Sequence, residues 1–158
     1  MFYEGLLRVP LIVRTPGPSV GGVVSDPVST LDLAATLGDF AGVPMPAARH
    51  SRSLRPLIEG RAGGPADRPD HALTEWRLGP QRCGVALDLR GVRTRDAKLT
   101  LEFGSGAGEL YDLRDDPHEC INRFDDPALR GLRDELTQRL MTRPNDLRNP
   151  MPTPVGPA

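Results

Sequence analysis

Residues 85–113 read VALDLRGVRTRDAKLTLEFGSGAGELYDL, and this stretch decides the fold. Apolar residues alternate with polar or small residues in segments 85–89 and 99–103, which is the pattern of two β-strands with one buried face. The segment ELYDL at 109–113 indicates another short strand, and residues 72–76 indicate one before the pair. The sequence therefore predicts an antiparallel meander of short strands.

A helix is predicted directly after the meander. Asp126 is a suitable N-cap and Pro127 suits the first turn, where its missing N–H would have no partner in any case. An apolar stripe at helical spacing follows, formed by Leu129, Leu132, Leu136 and Leu140. This helix is expected to cover the sheet.

The part before residue 60 has a different pattern. Residues 6–13 (LLRVPLIV) are apolar on both faces, which predicts a strand covered on both sides, and Pro10 places it at a sheet edge. Ser29 and Asp32 resemble a capping box at the start of a helix that Gly42 ends. A second short helix is predicted at 53–59. The fold class is therefore α+β: one edge strand and two helices, then a small antiparallel sheet covered by a C-terminal helix.

The composition limits the function classes. The 20 basic and 21 acidic residues give a net charge of −1, so bulk electrostatic binding to nucleic acid or to an acidic membrane is not expected. No segment approaches the roughly 18 apolar residues of a membrane span. The N-terminus lacks the features of a signal peptide, so a cytoplasmic protein is expected. The cysteines, Cys83 and Cys120, fit no metal spacing or disulfide framework, and each is expected to pack as a half-buried thiol.

Four stretches carry a family resemblance. They are FYEGLLRVPLIVRTPG at 2–17, VSDPVSTLDLAATLGDFAGVPMP at 24–46, HSRSLRPLIEG at 50–60, and GVRTRDAKLTLEF with GELYDLRDDPHECIN within 91–122. In this order they resemble YEGG-x-RVPLI-x-R-x-PG, VS-x-x-DL-x-PTLLDLAGV-x-P, G-x-SL-x-PLL-x-G, and AVRT-x-x-YKL with ELYDL-x-x-DP-x-E-x-x-NL. These are motifs from the C-terminal part of the type I sulfatases of the alkaline phosphatase superfamily. Ala97, Ser51 and Ala35 depart from the patterns, at positions that affect packing rather than chemistry.

The resemblance implies three regions. Residues 1–62 would be the tail end of the sulfatase α/β domain, residues 70–143 the C-terminal antiparallel sheet with its covering helix, and residues 144–158 a disordered Pro-rich tail. The complete family uses a formylglycine, made within a C/S-x-P-x-R motif, and a divalent metal, usually calcium. No cysteine or serine of this chain stands in that motif, and the metal ligands of the family are missing. We therefore expect no catalytic residue, no metal ligand and no cofactor in this chain.

Three functions remain open. The chain is expected to be the C-terminal fragment of a sulfuric ester hydrolase, inactive alone, whose substrate in the complete enzyme is a small sulfate ester. Alternatively it is half of a split sulfatase, or of a phosphonate or phosphodiester hydrolase, completed by a partner chain that supplies the missing N-terminal half. A third reading is a non-catalytic module that binds sulfated or phosphorylated ligands. His50, Arg52 and Arg77 are the candidate substrate-binding residues, since guanidinium groups bind sulfate and phosphate oxygens well.

Overall fold

The computed structural model describes residues 2–15, 21–43, 50–63 and 69–142, and the α+β class is confirmed. Within the described residues, three helices precede the first strand: α1 (Glu4–Leu7), α2 (Asp32–Ala41) and α3 (Arg55–Ile58). The strands are β1 (His71–Leu78), β2 (Leu87–Thr94), β3 (Ala97–Glu102) and β4 (Gly108–Asp112). A short helix α4 (Pro80–Cys83) joins β1 to β2, and a 3-10 turn (Pro127–Leu129) leads into α5 (Arg130–Met141).

The four strands form the predicted antiparallel meander, in the order β1-β2-β3-β4. The register pairs Leu73 with Val92, Val92 with Leu99, and Leu99 with Leu110. Side chains directly opposite each other in an antiparallel pair lie on the same face of the sheet. These four residues therefore form one apolar row across the sheet.

The core lies between this apolar row and α5. Leu136 and Leu140 of α5 have no solvent exposure, and they pack in one cluster with Val92, Ala97, Leu99 and Leu110. Leu129 and Leu132 are half-buried at its border, so the predicted leucine stripe is confirmed. The Asp126 side chain accepts a hydrogen bond from the Ala128 N–H at 2.8 Å, which confirms the predicted cap.

Both predicted helices of the N-terminal part are present. The Asp32 carboxylate accepts a hydrogen bond from the Ser29 N–H at 3.1 Å, as in a capping box, and Gly42 ends α2 in the left-handed conformation, with φ of 67°. The other Asp32 oxygen accepts from the Arg52 N–H at 3.0 Å, and the Thr36 hydroxyl accepts from the Leu54 N–H at 2.8 Å. Polar side chains of α2 thus bond the backbone that leads into α3.

The prediction of a strand at 6–13 is wrong. Residues 4–7 form the short helix α1, and residues 8–15 form no regular structure. A strand requires a neighbour to bond its N–H and C=O groups, and the described residues offer none to this segment. Its apolar side chains are exposed instead, with Ile12 at 93% and Val9 at 63%.

Some smaller expectations were wrong or fall outside the described residues. Strand β2 begins at Leu87 rather than at Val85, because Pro80 starts α4 and Gly84, with φ of 78°, ends it. Cys120 is exposed rather than half-buried. The predicted disorder of 144–158 lies outside the described residues. The boundary between the regions 1–62 and 70–143 stays a prediction.

Candidate functional site

Two of the three candidate substrate-binding residues lie in one loop, and the third lies on the sheet. His50 and Arg52 are exposed and lie just before α3, where the Arg52 backbone is fixed by Asp32. Arg77 lies on β1, and its guanidinium is 3.5 Å from Asp88 of the neighbouring strand. Asp32 and Arg52 both belong to the N-terminal half, and Arg77 and Asp88 both belong to the C-terminal half. Neither contact brings the candidate residues of the two halves together. Sulfate or phosphate binding by His50, Arg52 and Arg77 therefore stays a prediction.

The acidic segment at 115–119 is a turn, as its sequence indicates. Asp116 accepts hydrogen bonds from the N–H groups of Cys120 at 3.0 Å and Ile121 at 2.9 Å, and these bonds hold the pKa of its carboxyl below the ordinary value. Across the described residues, no group of three or more His, Cys, Asp or Glu side chains is placed to hold a metal ion. The residues of this part of the chain therefore do not fit the divalent metal that the resemblance implies.

One groove, of about 670 Å³, lies between α5 and the turn that joins β2 to β3. Charged residues of both signs line it, and Arg139 of α5 is bonded there to Asp70 and to Glu135. None of the three candidate binding residues lines this groove. Asp70 and Glu135 already bond the Arg139 guanidinium, and the remaining charged residues of the groove are of both signs. The groove therefore shows no preference for an anionic ligand.

The most unusual polar feature is a buried ion pair between Lys98 of β3 and Glu119. The side chains are 1% and 3% exposed, and Lys98 also donates to the Phe2 carbonyl. Lys98 is the only lysine of the chain. Burial lowers the pKa of Lys98 to about 8, against the opposing attraction of the Glu4 and Glu109 carboxylates. The ammonium group is thus held by one carboxylate and one backbone carbonyl in a region that excludes water.

Two further contacts join this pair to the N-terminal segment. The second oxygen of Glu119 accepts from the Glu4 N–H at 2.8 Å. The Glu4 carboxylate in turn receives two hydrogen bonds from the Arg93 guanidinium of β2, both at 3.2 Å. We call Glu4, Arg93, Lys98 and Glu119 the Lys98 cluster. A forked guanidinium–carboxylate pair is among the strongest polar contacts in proteins.

The Lys98 cluster was not predicted from the sequence. Its members meet only in the folded chain, where Glu4 bonds Arg93, 89 positions away. A usable signal was present in the sequence. Each of the four residues stands at a position that is written out in the family patterns quoted above.

The described N-terminal part carries a large exposed apolar surface. We call this set the apolar N-terminal surface: Leu6, Val9, Leu11, Ile12, Val13, Val23, Val24, Leu31 and Leu37. Val23 is 93% exposed and Leu37 of α2 is 69% exposed. Isolated exposed apolar residues are common, but contiguous apolar patches mark contact surfaces, and Leu11, Ile12 and Val13 are exposed one after another along the chain.

The structure describes no helix that is both long enough and apolar enough to cross a membrane.

The chain is similar to curated sulfatases over most of its length. It is 34% identical over 140 residues to an N-acetylglucosamine-6-O-sulfatase of Bacteroides thetaiotaomicron, covering 87% of this chain and 25% of that protein. It is 30% identical over 140 residues to a choline-sulfatase of Rhizobium meliloti, covering 86% of this chain and 25% of that protein. The chain therefore spans about a quarter of the length of these relatives.

Solved structures share the fold. One, determined in complex with its substrate D-glucosamine-2-N,6-O-disulfate, matches 70% of this chain and 22% of its own with a TM-score of 0.60 and 32% identity. A phosphonate monoester hydrolase from Silicibacter pomeroyi matches 86% of this chain and 28% of its own, with a TM-score of 0.67 and 26% identity. Residues 1–146 match the family described as N-sulphoglucosamine sulphohydrolase, C-terminal. The chain belongs to this family of sulfatase C-terminal domains.

Proposed function

We propose that this chain serves as the C-terminal part of a sulfuric ester hydrolase and has no hydrolase activity alone. Its role is to complete the enzyme by docking onto a catalytic α/β part that carries the nucleophile and the metal. The observation that carries this proposal is the uneven distribution of apolar surface between the two halves of the chain. The C-terminal half buries most of its large apolar residues under α5, whereas the N-terminal half exposes most of those between Leu6 and Leu37.

Chain length and chemistry both favour the catalytic α/β part as the occupant of the apolar N-terminal surface. Sulfatase relatives are about four times as long as the stretch that matches this chain, so most of such an enzyme lies outside it. Burying an apolar side chain contributes about 1.5–3 kcal/mol relative to leaving it exposed. Several such residues, including Ile12, Val23 and Leu37, would favour docking onto a matching apolar face.

Sulfate esters are the proposed substrate class of the completed enzyme, because sulfatases dominate the relatives described above. Phosphonate monoesters are the second candidate, favoured by the fold likeness to the phosphonate monoester hydrolase. Both substrates present a tetrahedral anionic centre with several oxygens. The proposed contribution of this chain to binding is His50, Arg52 and Arg77, which would form part of the pocket wall after docking.

The first experiment compares the purified chain with the native protein. We expect no turnover of p-nitrophenyl sulfate or of p-nitrophenyl phenylphosphonate by the 158-residue chain. Turnover that a chelator abolishes would refute the proposal. The intact mass of the protein from its own cells then locates the catalytic part. A mass far above 17.2 kDa places it in the same polypeptide, and a mass of 17.2 kDa places it in a partner chain.

A second experiment tests the docking surface itself. Sedimentation of the purified chain should show self-association, and the double substitution I12D/L37D should reduce it without changing the circular dichroism of the sheet. Glu substitution at Gln138, an exposed position on α5, is the matched control and should leave self-association unchanged. A monomeric chain that binds sulfated ligands in a salt-sensitive manner would instead support the binding-module alternative.

A further inference from the structure

The segment of residues 2–7 lies on the face of the sheet opposite α5. Lys98 and Arg93 pair in the register between β2 and β3, and they project from that face because their neighbours Leu99 and Val92 project into the core. The Phe2 ring covers Gly91 so closely that a Cβ added there would lie 3.1 Å from it. Phe2 is 3% exposed. The sheet therefore has α5 on one face and the start of the chain on the other.

Charged groups of the sheet and of Glu119 add polar contacts to the apolar contact at Phe2. Lys98 holds the Phe2 carbonyl, Glu119 holds the Glu4 N–H, and Arg93 holds the Glu4 carboxylate. The Lys98–Glu119 ion pair joins the first two contacts. Residues 2 and 4 are thus bound to the sheet by both backbone and side-chain atoms.

The backbone at Glu119 supports a positional role for this arrangement. Glu119 has φ of 57°, the one positive value among the described residues other than glycine. A residue with a Cβ disfavours this conformation by about 1–2 kcal/mol, so it persists only where surrounding contacts impose it. Here the conformation places a carboxylate beneath both Lys98 and the Glu4 N–H.

We propose that the Lys98 cluster is an ionic latch that fixes residues 2–7 on the sheet and thereby positions the catalytic part that docks onto this chain. Buried charges favour a single geometry, since any displacement leaves a charge without a partner in a region that excludes water. Apolar packing alone would allow the segment to slide. The coupling to catalysis rests on the proposed function, whereas the fixing of the segment does not. Lys98, Glu119, Glu4 and Arg93 act here as positioning residues.

Amide hydrogen exchange of the 158-residue chain tests the latch directly. In Lys98→Met, the amides of residues 4–8 should exchange at least about tenfold faster, which corresponds to the loss of one charged hydrogen bond. The exchange rates of amides in β2 to β4 should rise by a smaller factor than those of residues 4–8. The control is Arg130→Met, which breaks an exposed pair with Asp134 at 3.8 Å and should change neither group.

A second variant covers the case in which Lys98→Met fails to fold. The double variant K98M/E119L removes both buried charges together, so no uncompensated carboxylate remains. Exchange at residues 4–8 should again rise, because the Glu4 N–H has lost its acceptor. Unchanged protection of residues 4–8 in a folded K98M or K98M/E119L protein would overturn the latch.

Kinetics of the complete enzyme test the positional role. Lys98→Met should lower kcat on p-nitrophenyl sulfate with KM within about threefold of the wild type, because a misplaced catalytic group affects the chemical step more than binding. An unchanged kcat would overturn the positioning role while leaving the exchange result valid. A complete wild-type enzyme with no sulfatase or phosphonate hydrolase activity would instead refute the proposed function.

Discussion

Leu136→Ala tests whether the core under α5 holds this chain together. Leu136 has no exposed surface and contacts the apolar row of the sheet together with Leu140. The substitution removes three buried carbon atoms, which costs about 2–3 kcal/mol in transfer free energy. The rigid strands on one side and the helix on the other leave little room for collapse, so a cavity adds to this cost. We expect a total loss of about 3–4 kcal/mol in the free energy of unfolding.

Urea denaturation followed by circular dichroism measures this loss. With an m-value of about 2 kcal/mol per molar for a domain of this size, the midpoint should fall by about 1.5–2 M. The matched control is Leu37→Ala on α2, the same chemical change at a position that is 69% exposed. It should change the free energy of unfolding by less than about 0.5 kcal/mol. Equal losses for the two variants would refute the assignment of the core to the C-terminal half.

Three further changes probe the sheet, the covering helix α5 and one turn. Gly108→Ala would place a Cβ 2.2 Å from the Phe124 ring and should destabilise by about 1–3 kcal/mol. In Gly131→Ala of α5 the added Cβ has no atom within 4 Å, and the free energy of unfolding should rise by about 0.5–1 kcal/mol. Urea denaturation measures the change for both glycine variants. Glu102 accepts hydrogen bonds from the Ser105 side chain and nearby backbone N–H groups, which lower its pKa to about 2 from 4.5. Its contribution to stability is therefore present above pH 4.5 and is lost as the pH falls toward 2. Glu102→Gln should abolish this contribution, so the free energy of unfolding of the variant should fall less than that of the wild type as the pH is lowered.

The C-terminal half was predictable because its signals are local. The alternation in 85–113 and the leucine stripe of α5 each bury one face within the chain itself, so periodicity and burial agree. Asp126 and Pro127 act through neighbouring backbone groups, which sequence reasoning can follow. The missed helix α4 also had local signals, Pro80 at its start and Gly84 at its end, but four residues leave no periodicity to detect.

The N-terminal half shows where such reasoning fails. The run at 6–13 has the composition of a buried strand, but a strand needs a neighbour and the described chain supplies none. Leu37 of α2 is likewise apolar but exposed. In both cases the apolar composition predicts a burial that the described residues do not show. The Lys98 cluster was missed for a different reason, since its members lie up to 115 positions apart and only the folded sheet brings them together.

The Lys98 cluster gives a physical reason for four of the residue positions in the family patterns. Glu4, Arg93, Lys98 and Glu119 come from three of these patterns. The structure places all four in one network that ties the start of the chain to the C-terminal sheet. Such a network is a costly way to stabilise a fold, because well-packed apolar residues of similar volume often do as well. Its advantage is a single geometry. A single geometry is useful to a domain that must hold residues 2–7 at a fixed position. A domain that needs stability alone has no use for it.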